Sequence, residues 1–130
     1  MKLANYPSII LFTSLLAGCQ ISSNNKPNQV ATITEAENKL TILISDKSCD
    51  ASFQCRVISY GERACGGPNR FDIYSIKNAK QEEVEFLANE ITLFEQSYNQ
   101  NNNAFSTCEH NTAPQTLCIS NQCIVIERTE

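Results

Sequence analysis

From Gln81 to about Tyr98 the apolar residues Val84, Leu87, Ala88, Ile91, Phe94 and Tyr98 recur at helical spacing. They share an arc of about 120° at 100° per residue, which predicts one amphipathic helix packed by that face. Phe86 and Leu93 fall together on nearly the opposite side of it. They read either as a partly exposed pair or as an apolar contact for a partner or a second copy. Four shorter stretches have the branched and aromatic content of strands: Lys39 to Ser45, Gln54 to Tyr60, Phe71 to Ile76 and Cys123 to Glu127. Thr34 and Glu37 fit a capping box and predict a short helical turn before the first of them. The run Asn99 to Asn103 reads as a polar loop that stops the helix. The expected architecture is α+β, a small sheet of three or four strands with one amphipathic helix packed on it, stabilised by disulfides.

The N-terminus has a different pattern. Met1 and Lys2 precede a mostly apolar run from Ile9 to Ala17 that closes on small residues, the layout of a secretory signal peptide over residues 1–18. The run is well short of the roughly 20 apolar residues that a membrane-crossing helix needs. Leu16-Ala17-Gly18-Cys19 resembles the lipobox of bacterial lipoproteins. The resemblance implies cleavage just before Cys19, a diacylglyceryl group on its thiol, and a further fatty acyl chain, such as palmitate, on the new amino group. Two or three acyl chains, at about 0.8 kcal/mol per buried CH2, would hold the chain on a bilayer. In the enteric lipoproteins, Gln20 at the next position implies passage to the outer membrane. The alternative is an ordinary secretory signal that happens to precede a cysteine. Residues 19–29, polar and aperiodic, read as the acylated cysteine and a flexible tether, leaving 30–130 as the globular domain.

With Cys19 assigned to lipid, Cys49, Cys55, Cys65, Cys108, Cys118 and Cys123 remain, an even number in two groups of three. In an exported chain this reads as three disulfides. Fifteen pairings are open, with a preference for at least one bridge between the early and late groups, since long loops gain most from closure. The spacings include no CxxC and the chain holds one histidine, so neither a zinc site nor a thioredoxin-like motif is expected; no metal or cofactor is called for.

Cys65-Gly66-Gly67-Pro68 between Arg63 and Arg70 is the most marked local feature. Two glycines permit positive φ and Pro68 stiffens the turn, so it serves either as a simple chain reversal or as a rigid recognition loop with Arg63 and Arg70 at its flanks. The stretch from Cys49 to Cys123 is similar to a set of small exported bacterial proteins with a Cys-Gly-Gly-Pro turn followed by an aromatic residue and Tyr-Ser. The matching residues are Cys65, Gly66, Gly67, Pro68, Phe71, Tyr74 and Ser75. That resemblance supports the domain boundaries and implies no activity. His110 reads as a solvated loop residue, and Glu82, Glu83, Glu85, Glu90 and Glu95 as solubilising side chains of the helix.

Ten basic residues against fourteen acidic ones, a net charge of −4, lack the basic footprint that nucleic acid requires. Charge is uneven: Lys47 to Lys80 has a basic excess, whereas Gln81 to Glu127 holds seven acidic residues and no basic one. Such an acidic side can steer a basic protein partner. With the cysteines paired and one histidine, no acid, base and nucleophile set is visible. The chain therefore reads as a non-enzymatic, inhibitor-like or immunity-like binding module anchored in the bacterial envelope, facing the periplasm. The alternative is a periplasmic small-ligand carrier or a small envelope hydrolase. Expected partners are the lipid bilayer, through acylated Cys19, and an envelope or periplasmic protein.

Overall fold

The computed structural model describes residues 26–109 and 111–126. The expected signal peptide over residues 1–18, the lipobox-like Leu16-Ala17-Gly18-Cys19, His110 and Glu127 lie outside the described residues. The elements run α1 (Lys26–Leu43), a 3-10 turn (Ser52–Gln54), β1 (Cys55–Tyr60), β2 (Arg70–Ser75), α2 (Gln81–Asn102), β3 (Gln115–Ile119) and β4 (Gln122–Ile126). The class is α+β, with two helices and two separate two-stranded antiparallel sheets among the described residues in place of one sheet and one helix.

The strand expected over Lys39 to Ser45 is instead the end of α1 and the turn after it. Ile33, Ala36, Leu40, Leu43 and Ile44 meet the core. Their three- and four-residue spacing is helical, and the apolar run after Lys39 is only its tail. The Ala, Glu, Lys and Leu residues upstream are strong helix formers, and Lys39 pairs with Glu35 one turn earlier at 2.7 Å. Thr34 and Glu37 consequently sit inside the helix, not at its start, and helical backbone reaches back to Lys26 within the stretch expected as a tether. Pro27 is compatible with this first turn, where its missing N–H has no helical acceptor to lose.

α2 buries Val84, Leu87, Ala88 and Ile91 as its periodicity requires. Its arc runs out toward solvent at the C-terminal end, where Tyr98 is exposed and stacks on Phe94 with ring centroids 6.4 Å apart. The helix continues through Asn102, so most of the asparagine run is helical and not loop; it ends at Asn103, which takes the left-handed conformation (φ 46°, ψ 46°) that asparagine tolerates.

β1 and β2 pair from Cys55↔Ser75 to Tyr60↔Arg70. β3 and β4 pair from Gln115↔Ile126 to Ile119↔Gln122 around a two-residue turn, Ser120-Asn121, both at positive φ. The main core joins Leu40 and Ile44 of the α1 end, Tyr60 and Tyr74 of the first sheet, and Val84, Leu87, Ala88 and Ile91 of α2. A second core consists of Cys49, Cys55, Ile73 and Cys123, flanked by Val57 and Cys118. An isolated two-stranded ribbon is marginal in water. Here Cys55–Cys123 ties β1 to β4, Cys49–Cys118 ties β3 to the segment after α1, and Cys65–Cys108 closes the long loop after α2. Every bridge joins the early group to the late group. Among the described residues no helix is long and apolar enough to cross a membrane.

Candidate functional site

The loop between β1 and β2 holds Arg63, Gly66, Gly67 and Pro68, and Arg70 opens β2. Gly66 and Gly67 both take positive φ (90° and 82°), and Gly66 N–H donates to the Arg63 carbonyl while Arg63 N–H donates to that of Gly67. The turn is therefore stiff, and Cys65–Cys108 together with a Cys65 N–H bond to Ser106 Oγ ties its tip to the loop after α2.

Its two arginines are half-buried and bond to the protein's own groups. Arg70 Nη2 contacts Glu95 Oε1 at 2.6 Å and Glu37 Oε1 at 3.0 Å, and its guanidinium carbon lies 4.7 Å from the centroid of the Tyr60 ring. It thus ties β2 to both helices. The Arg63 guanidinium donates to the Glu109 carbonyl. Both guanidinium groups flanking the candidate recognition loop are thus engaged by the protein itself.

Glu95 is corrected from a solubilising side chain to the centre of this corner. Its Oε2 accepts from Glu62 N–H at 2.8 Å and from Asn69 Nδ2 at 3.3 Å. Thr92 Oγ1 accepts from Gly61 N–H, and Asn99 Nδ2 donates to the Glu62 carbonyl. Thr92, Glu95 and Asn99 form a polar row at helical spacing beside the apolar arc of α2, a pattern that marks a face docked on backbone. Gly61, at φ 76°, lets that row approach: a Cβ there would stand 2.6 Å from Glu95 Oε2. Tyr60 donates to Asp72 Oδ2 at 2.5 Å, and burial, reinforced by this carboxylate, pushes its hydroxyl pKa up to about 12. Glu82, Glu83, Glu85 and Glu90 are exposed as expected.

Phe86 and Leu93 are exposed, at 61% and 52%. Phe86 borders an open groove of about 480 Å³ between the end of α1 and the start of α2, lined also by Lys39, Ile42, Leu43, Glu83 and Leu87. Ile42, 73% exposed, thus adds a large apolar side chain to the same surface. Its position in a helix is what places it there. A second apolar surface was not foreseen: cross-strand register puts Leu117, Ile119 and Ile124 on the outer face of the β3–β4 hairpin, all exposed. β3 alternates, but with its apolar side turned outward.

The Sγ atoms of the buried residues Cys49, Cys55 and Cys123 lie within 4.8 Å of one another. As members of disulfides they are not thiolates, the form that binds metal. No protein-family profile, curated protein or solved structure matches the chain.

Proposed function

We propose that this chain is a bacterial envelope lipoprotein, acylated at Cys19, whose disulfide-bridged domain binds another envelope or periplasmic protein in an inhibitor-like or immunity-like manner and catalyses no reaction. The anchor rests on the resemblance of Leu16-Ala17-Gly18-Cys19 to a lipobox. Export agrees with the pairing of Cys49, Cys55, Cys65, Cys108, Cys118 and Cys123 into three bridges, since such bonds persist in oxidising compartments. The observation that carries the binding reading is the exposed apolar surface of Ile42 and Phe86, with Leu93 two turns further along α2, on a pair of packed helices. Aromatic side chains presented on a rigid scaffold are the usual anchors of protein interfaces.

A small-ligand carrier is the second reading, because the groove volume lies within the range of ligand pockets. Such pockets bury about 70–90% of their ligand, and an open groove favours a protein surface instead. Affinity capture from envelope extract with the lipidated protein and with Phe86→Asp tests the choice. The expected result is a retained protein whose recovery falls at least about tenfold with the variant, equivalent to about 1.4 kcal/mol. Recovery of a small molecule and no protein would favour the carrier. Mass spectrometry of the N-terminal peptide separately tests acylation of Cys19.

A further inference from the structure

Two of the three bridges lie side by side. Cys49 belongs to Cys49–Cys118, yet its Sγ lies within 4.8 Å of both sulfurs of Cys55–Cys123. Cys49, Cys55 and Cys123 are buried, whereas Cys118 is partly exposed. Cys118 and Cys123 also stand opposite each other in the β3–β4 ladder. Their N–H groups point away from the ladder, to Ser52 Oγ and to the Lys47 carbonyl. This is the non-hydrogen-bonded kind of antiparallel pair, in which facing side chains come closest. Cys49 therefore has both sulfurs of a second bridge beside it, and Cys118 faces Cys123 across the ladder.

We propose that Cys49, Cys55, Cys118 and Cys123 form a thiol–disulfide exchange site that takes two electrons from a dithiol at Cys118 and delivers them, through Cys49, as a Cys118/Cys123 dithiol on the hairpin. A thiolate of the dithiol attacks Cys118 Sγ, forming a mixed disulfide and releasing the Cys49 thiolate. The second thiolate of the dithiol breaks the mixed disulfide, leaving Cys118 as a thiol and the reductant as its oxidised disulfide. Cys49 then attacks Cys55 Sγ, forming Cys49–Cys55 and releasing Cys123, which takes up a proton. This last step moves no net electrons. The paired thiols of Cys118 and Cys123 can return two electrons to a disulfide of a partner by closing on each other, which leaves Cys49–Cys55 and Cys118–Cys123 in place of the original bridges: one stoichiometric change of pairing, not a turnover. The attack needs the Cys49 thiolate and room for it to move among buried side chains, while fixed proximity favours it. The exchange is thus slow, on the order of minutes to hours, and accelerates as pH rises.

The site is independent of lipidation, so it is tested in the full chain carrying Cys19→Ser, which removes the seventh sulfur. Addition of Cys118→Ser leaves Cys49 without its partner. After incubation at rising pH, acid quenching and alkylation, peptide mapping is expected to show part of the Cys55–Cys123 linkage replaced by Cys49–Cys55 or Cys49–Cys123. A folded variant, judged by its helical circular dichroism, that keeps Cys49 alkylated and Cys55–Cys123 intact overturns the proposal. New linkages involving Cys65 or Cys108 overturn it too, since they mean general scrambling. If Cys118→Ser does not fold, the Cys19→Ser chain is titrated with dithiothreitol until Cys49–Cys118 is cleaved. Appearance of the Cys49–Cys55 peptide supports the exchange, and an untouched Cys55–Cys123 bridge refutes it.

Discussion

Leu40, Val84 and Ile91 in the helical half are withdrawn from water almost completely, whereas Leu117, Ile119, Ile124 and Val125 of the β3–β4 hairpin keep between 38% and 50% of their surface exposed. The two halves are held by different forces. α1, α2 and the β1–β2 sheet share an apolar core and are locked at one corner by Arg70, Glu37 and Glu95. The hairpin turns much of its apolar surface outward, and sulfur dominates its buried contacts. Burial of a large aliphatic side chain is worth about 1.5–3 kcal/mol, and the hairpin largely forgoes it. With Cys49–Cys118 in place, Cys55–Cys123 closes only the short loop through residues 49–55 and 118–123, and restores a comparable amount, about 3 kcal/mol, by restricting the unfolded chain. A small protein can thus leave an apolar face free for other uses while a covalent link keeps the element in place.

The contrast is most strongly challenged by removing a bridge. Cys55→Ser combined with Cys123→Ser should lower stability by about 3 kcal/mol, with amide hydrogen exchange showing that β3 and β4 lose protection before α2. Equal protection of both halves would mean that Cys55–Cys123 is not what holds the hairpin in place. Ile91→Ala, at a fully buried site, should cost about 3 kcal/mol in urea denaturation, while Ile124→Ala should stay within about 1 kcal/mol. Similar costs at the two sites would remove the distinction.

Gly61→Ala should cost about 2 kcal/mol, because positive φ is combined with a Cβ clash on Glu95. Gly66→Ala, also at positive φ but with no atom within 4 Å of the new Cβ, should cost about 1 kcal/mol. Tyr60 adds a pH dependence confined to the helical half. Its hydroxyl pKa is raised to about 12 in the folded state, against about 10 in the unfolded chain. Between these values the unfolded state releases the proton first, so stability is full below pH about 10 and declines by up to about 2 kcal/mol toward pH 12. Tyr60→Phe should flatten this part of the stability profile.

The periodic stripe of α2 was legible because it spans several turns and its apolar side chains face one core. α1 was misread because the run from Leu40 to Ile44 is too short to separate a strand from a helix, and its register becomes clear only with Ile33 and Ala36 included. β3 was missed because Leu117 and Ile119 face outward, so their alternation marks an exposed side. Ile42 gave no sign of belonging with Phe86, since a strand assignment separates it from the helix it borders. The roles of Arg70 and Glu95 were hidden for a related reason: single charged residues far apart in sequence look solvated until packing brings them to 2.6 Å.

Composition and local pattern determined the α+β class, the even set of Cys49, Cys55, Cys65, Cys108, Cys118 and Cys123, the buried face of α2, the strands β1, β2 and β4, and the stiff turn at Gly66 and Gly67. These depend on residue type and on spacing within a few turns, which act through nearby backbone and solvent. Tertiary structure alone decided which cysteines pair, that four strands form two ribbons, that Arg63 and Arg70 bond to the protein's own groups, and that Cys49 lies beside a bridge to which it does not belong. Those outcomes require elements distant in sequence to pack against one another, and the free energies involved are sums over contacts that no local window contains.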